Sequence, residues 1–135
     1  MGQENDLKFF FDTICQLQNF DRSAFENLKD DTSLEVAIKI MARFCMTLGD
    51  AIEAIDVGRQ EDNPEMIWKS CHKIAGTSEL LGFAVLGRKS KELSKSLQAL
   101  PDLSGYLVDL QKYQAQLSQV RKDIEQAIPS WEQYL

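Results

Sequence analysis

Apolar residues recur at three- and four-residue spacing along almost the whole chain, which is typical of amphipathic helices. A first apolar stripe covers residues 7–17, and a short second segment carries Phe25 and Leu28. Four longer segments follow, at about residues 34–58, 64–81, 83–100 and 107–128. No segment alternates with a period of two, so the sequence predicts an all-α protein.

Capping residues and helix breakers predict where the helices begin and end. N-caps are expected at Asp21 or Ser23, at Ser33, and at Asn63, which precedes Pro64. Ends are expected at Gly58, Gly82 and Pro129, and the last helix is expected to start its apolar seam at Leu107. A turn is expected over residues 101–105.

The connections between the four long segments are short, and short connections make consecutive helices antiparallel neighbours. The prediction is an up-down antiparallel four-helix bundle with one or two additional N-terminal helices. A chain of 135 residues suits one domain, with a core bundle over about residues 25–128 and an N-terminal helical extension over about 4–19. That extension either lengthens the bundle or serves as a docking or dimer element.

Charge and composition narrow the range of functions. The net charge of -6 argues against nucleic-acid binding, although it allows a protein partner. Three scattered cysteines and one histidine do not provide the spacing of a metal site. The amino-terminal segment is acidic and amphipathic, unlike a signal peptide, and no apolar run approaches the roughly 20 residues of a membrane span. The expected location is the cytoplasm, with no membrane partner.

The fourth helix places the only histidine, His72, on its outer face. A helical wheel gathers the apolar side of this helix into one narrow sector, formed by Ile67, Cys71, Ile74, Ser78 and Leu81. His72 falls roughly 140° from the centre of that sector. A lone histidine is ordinarily a core residue with satisfied hydrogen bonds, but the wheel predicts that this one points to solvent.

Gly76 lies one turn after His72 on the most exposed line of the same helix. Glycine in an exposed helix interior costs about 1 kcal/mol relative to alanine. Because no core packing explains it, we expect a large partner to approach the helix at this point. No nucleophile and orienting acid are placed for a hydrolytic triad, and Glu65 and Glu79 are ordinarily solvated charges.

The segment "HKIAGTSELLGF" resembles the motif of the histidine-containing phosphotransfer (HPt) domains of bacterial two-component phosphorelays. His72, Ile74, Gly76, Thr77 and Gly82 match that motif in register. The resemblance extends over about residues 25–125, including the long lead-in helix, the short acidic loop and the apolar positions of the next helix.

The resemblance implies a function for His72. The imidazole would accept a phosphoryl group, on Nε2, from the aspartyl phosphate of a response-regulator receiver domain or hybrid histidine kinase, and pass it to another receiver aspartate. The chain would be a phosphoryl carrier rather than an enzyme, without an ATP site or cofactor of its own, and Mg²⁺ would belong to the partner receiver. The alternative is an HPt-like binding module that docks and regulates a kinase or regulator without phosphotransfer. A structural adaptor leaves Gly76 unexplained.

The chain departs from the family pattern at Ala75, where many members carry lysine. Lys69 and Lys73 are the candidates for the cation that supports the phosphoryl group, and Lys69 is the better aligned of the two. The partner is expected to dock on the surrounding surface, at Trp68, Ala75, Gly76 and Glu79.

Overall fold

Six α-helices and a terminal 3-10 turn make up the part of the chain that the computed structural model describes, residues 2–135. The helices are α1 (Gly2–Cys15), α2 (Arg22–Asp31), α3 (Leu34–Gln60), α4 (Pro64–Leu81), α5 (Ala84–Gln98) and α6 (Leu107–Ala127), and the 3-10 turn is Trp131–Tyr134. No strand occurs over these residues, so the predicted all-α class is confirmed. None of these helices is long and apolar enough to cross a bilayer.

Three predicted N-caps are confirmed by their hydrogen bonds, since each side chain accepts from a backbone amide of the first turn. Asp21 accepts from the amide of Ala24 at 3.4 Å, and Ser33 accepts from that of Val36 at 3.1 Å. Asn63 accepts from the amide of Met66 at 3.3 Å. The alternative cap, Ser23, is wrong because it lies inside α2.

Two predicted boundary features are wrong. Helix α3 continues past Gly58 to Gln60, and a Cβ on Gly58 would come within 2.5 Å of Ile67 Cγ1. This glycine therefore allows α4 to pack closely on α3 and does not end the helix. Leu107 does not join the seam of α6: it is the first residue of the helix and is 51% exposed, and the buried leucine at this end is Leu103.

The N-terminal helix is shorter than predicted, because α1 ends at Cys15 and Leu17 lies in the turn that follows. Helix α1 packs against α3 and α6, so it covers one side of the long helices. Helix α2 packs against α3 and α4.

The turn between α4 and α5 is fixed by glycine geometry and by aromatic packing. Gly82 has φ 107°, a left-handed conformation that ends α4 as predicted. Its carbonyl accepts from the amide of Asp21 at 2.8 Å. The ring of Phe83 meets those of Phe20 and Phe44 at centroid distances of 5.0 and 5.8 Å. These contacts anchor the turn and set how α5 folds back along α4.

Candidate functional site

Helix α4 separates its buried and exposed residues as the wheel predicts. Ile67, Cys71, Ile74, Ser78 and Leu81 are all fully buried. His72 and Gly76 are exposed on the opposite side, and Ala75 between them is half-buried. The imidazole is therefore presented to solvent by a helix whose other face is fixed in the core.

Gly76 is unconstrained by the fold. A Cβ built on it would have no heavy atom within 4 Å beyond its own helix. The backbone here is regular α-helix without a positive φ. Neither packing within the fold nor backbone conformation requires glycine at this position.

His72 opens onto a cleft of about 200 Å³ between α4 and α5. Four residues of α4 and two of α5 line it: His72, Ala75, Gly76, Glu79, Gly87 and Lys91. The cleft is open to solvent along one side. It brings His72 together with three of the four predicted docking residues.

The register of the two helices is set where Gly87 meets Glu79. A Cβ on Gly87 would lie 2.7 Å from Glu79 Cγ, so the missing side chain lets the helices approach closely. Ala75 lies four residues before Glu79, and Lys91 lies four residues after Gly87. Helix α5 runs antiparallel to α4. Ala75 and Lys91 therefore face each other one helical turn farther from the loop at Gly82 than Glu79 and Gly87 do.

The two lysines predicted to support a phosphoryl group lie outside this cleft. Lys69 Nζ is 2.8 Å from Glu65 Oε1, and this contact holds the pKa of the Glu65 carboxyl below its usual range. The pair draws Lys69 toward the start of α4, away from His72. Lys73 is exposed and does not line the cleft. The cation that does line it is Lys91.

Trp68 occupies a different surface from His72. It is half-buried against the core and lines a groove with the start of α4 and the end of α5, including Leu97 and Leu100. The structure thus places this predicted docking residue beside the cleft of His72 rather than in it.

A buried polar cluster lies behind the cleft and connects three helices. Ser90 Oγ lies 2.6 Å from the Tyr113 hydroxyl and donates to the Leu86 carbonyl at 2.8 Å. Because a hydroxyl has one hydrogen, Tyr113 donates to Ser90. Burial, and to a lesser extent the neighbouring Cys71 thiol, raises the pKa of the Tyr113 hydroxyl. Burial raises the pKa of Cys71 to about 11, so this thiol stays protonated at neutral pH.

The cleft presents three polar side chains, the His72 imidazole, the Glu79 carboxylate and the Lys91 ammonium group. On the same helix, the Ser70 hydroxyl donates to the Met66 carbonyl and the buried Ser78 hydroxyl donates to the Ile74 carbonyl. Within the described part of the chain, no three His, Cys, Asp or Glu side chains gather as a metal site would require.

Sequence reasoning missed Gly87 and Lys91, which come from the neighbouring helix. A signal for them was present in the register: residues at similar distances on either side of Gly82 face each other when α5 folds back on α4. Helical wheels treat each helix alone, so they cannot show such cross-helix pairs.

Comparisons with models of known protein families, with curated proteins and with solved structures each find no match to this chain.

Proposed function

We propose that the chain is a phosphorelay intermediate whose His72 accepts a phosphoryl group from the aspartyl phosphate of a receiver domain and donates it to another receiver aspartate. The observation that carries the proposal is the pairing of an exposed imidazole with Gly76, a glycine that the fold does not require. A receiver must bring its phosphorylated aspartate close to the imidazole nitrogen, and a bare backbone one turn away leaves room for that approach.

The architecture that accompanies this function is an up-down bundle of α3, α4, α5 and α6. Its support is the set of helix contacts: α4 packs on α3 and α5, and α6 packs on α3 and, less extensively, on α5. Such a bundle fixes the inner side of α4 in the core. It holds the imidazole in place on the outer side. The protein therefore positions the nucleophile, and the receiver supplies the groups that stabilise the departing aspartate.

The transfer step involves one bond formed and one broken. The lone pair of His72 Nε2 attacks the phosphorus of the acyl phosphate, and the new N–P bond forms as the P–O bond to the aspartate breaks. The electron pair of that bond returns to the aspartate as a carboxylate. Onward transfer reverses these roles at a second receiver, and Mg²⁺ belongs to the receiver in both steps.

A second function is favoured by Ala75, which stands where many phosphotransfer domains carry a lysine. Without that cation the cleft could dock a kinase or receiver and regulate it without accepting phosphate. Both functions use the same surface and differ in whether phosphate moves.

The two functions are distinguished by a two-receiver transfer assay. A receiver phosphorylated with acetyl phosphate is freed of excess donor and mixed with the protein and a second receiver. A carrier moves label from the first receiver to the second only when the protein is present. Binding to either receiver without movement of label would support the regulatory module and reject the relay.

A further inference from the structure

We propose that the phosphoryl site is built across two helices, with His72 of α4 as the nucleophile and Lys91 of α5 as the cation that stabilises the transferred group. This inference rests on the proposed function, because it concerns the anion that His72 would carry. Many phosphotransfer domains carry a lysine on the histidine's own helix, at the position of Ala75. Here the positive charge would come from the neighbouring helix α5.

Lys91 is placed for this role by the register of α4 and α5. The close contact of Gly87 with Glu79 brings Lys91 to the level of Ala75, and the small alanine side chain leaves the cleft open between the helices. A lysine at either position would direct its ammonium group into the same space. The long, flexible lysine stem allows Lys91 to reach a phosphoryl group on His72 from the opposite wall.

The surrounding charges favour Lys91 over Lys69 of α4. No ion pair of Lys91 occurs in the part of the chain that the structure describes, whereas Lys69 is paired with Glu65 at 2.8 Å. Glu79 is the one carboxylate that lines the cleft. It lies about two helical turns from His72, in the direction of the loop at Gly82. Lys91, at the level of Ala75, therefore stands between the Glu79 carboxylate and the position of a phosphoryl group on His72.

The buried cluster behind the cleft holds both walls of the site. Cys71 immediately precedes His72, and Ser90 immediately precedes Lys91. Ser90 Oγ lies 2.6 Å from the Tyr113 hydroxyl, and the Cys71 thiol lies near the same hydroxyl. Tyr113 is therefore a positioning residue that packs beneath both walls of the cleft.

Phosphoramidate tests the site without any partner protein. This small donor transfers its phosphoryl group to an accessible imidazole: the N–P bond to His72 forms as the donor's own P–N bond breaks, and ammonia leaves. We expect Lys91→Gln to lower the rate of His72 phosphorylation about fivefold, the size of an exposed charge interaction. Lys91→Arg should retain most of the rate. Lys95→Gln, which removes the same charge one turn farther along α5, should react at close to the wild-type rate.

The outcomes separate this inference from the relay itself. If Lys91→Gln reacts like wild type, or if Lys69→Gln loses more than Lys91→Gln does, the cation is wrongly assigned. Failure of phosphoramidate to label His72 at all would also overturn the site. If the donor labels His72 in a Lys91-dependent manner but no receiver phosphorylates it, the two-helix site stands and the relay is rejected.

Discussion

The hydroxyl of Tyr113 lies 2.6 Å from Ser90 Oγ, in a fully buried contact between α6 and α5. The Cys71 thiol of α4 lies near the same hydroxyl, so side chains of three helices come together behind the exposed cleft. Lys91 follows Ser90 in the sequence, and His72 follows Cys71. The buried polar cluster lies on the inner side of α4 and α5, and the cleft of His72 lies on the outer side of the same two helices.

Replacing Tyr113 by phenylalanine should weaken both the fold and the site. The variant removes the hydroxyl that donates to Ser90 Oγ, and a lost buried hydrogen bond costs about 1–3 kcal/mol. We expect the free energy of unfolding in urea to fall by that amount. Phosphorylation of His72 by phosphoramidate should slow as well, since the walls of the cleft are less firmly held. Unchanged stability would mean that the contact carries no net stabilisation.

Gly76 and Gly58 offer a matched pair of glycines in helix interiors. Gly76→Ala adds a Cβ into open space and should raise the free energy of unfolding by about 1 kcal/mol. Gly58→Ala adds one within 2.5 Å of Ile67 Cγ1 and should lower it. Thermal or urea unfolding of both variants checks this contrast.

A bulky side chain at position 76 should separate stability from function. Gly76→Gln is expected to fold at least as well as wild type, yet to accept phosphate from a phosphorylated receiver more slowly because the side chain obstructs docking. Labelling by phosphoramidate, which needs less room, should be affected less. Transfer from the receiver at the wild-type rate would refute the close-approach argument.

Alkaline pH should destabilise the protein through its buried thiols. The pKa of Cys71 is raised from 9.0 to about 11 by burial, so the folded state holds this proton more tightly than the unfolded chain does. Its contribution is complete below about pH 9 and is lost as pH rises toward 11, with a slope of at most about 1.4 kcal/mol per pH unit. Cys45, with a pKa of about 11, and buried Tyr113, whose pKa is also raised, act in the same direction.

Urea unfolding at several pH values above neutrality measures this effect. The free energy of unfolding should decline from about pH 9 upward, and Cys71→Ala should show a shallower decline than wild type. A flat profile between pH 9 and 11 in the wild-type protein would contradict the assigned burial of the thiols.

The surface charge of the chain is divided unevenly, which predicts a salt-sensitive partner contact. Residues 64–98 carry six Lys or Arg and three Glu, a net charge of +3. Because the whole chain has a net charge of -6, the remainder carries -9. The helices around His72 should therefore attract the acidic face of a receiver. Raising salt from about 0.05 M to about 0.5 M should weaken receiver binding roughly tenfold. Binding that salt does not change would argue for a largely apolar interface.

Much of the fold was predictable because periodicity and capping act locally. The buried stripe of α4, the cap at Asn63 and the end at Gly82 are all readable from neighbouring residues in the sequence. Gly58 was misread because its role depends on Ile67 of another helix, and glycine at a tight crossing resembles glycine at a helix end. The assignment of Leu107 to the buried seam of α6 is wrong because periodicity does not show where a helix extends past the helices it packs against. The first turn of α6 extends past them, so Leu107 is exposed.

The exposure of His72 and Gly76 on α4 was predictable from the sequence, whereas the residues that α5 contributes to the cleft were not. The wheel found the exposed His72 and Gly76, since both lie on one helix. Lys69 was favoured as the cation by its spacing from His72, but its pairing with Glu65 is a matter of side-chain conformation that spacing does not fix. Lys91 depends on the register between two helices, which Gly87 and the turn at Gly82 determine together.

If His72 is a phosphoryl carrier, it takes up phosphate from a receiver aspartate. The most direct measurement mixes a purified phosphorylated receiver with the protein and locates the label by mass spectrometry of its peptides at alkaline pH. We expect an acid-labile, alkali-stable phosphate on the peptide containing His72, and none in His72→Gln. Label on any other residue, or no label from any receiver of the same organism, would contradict it.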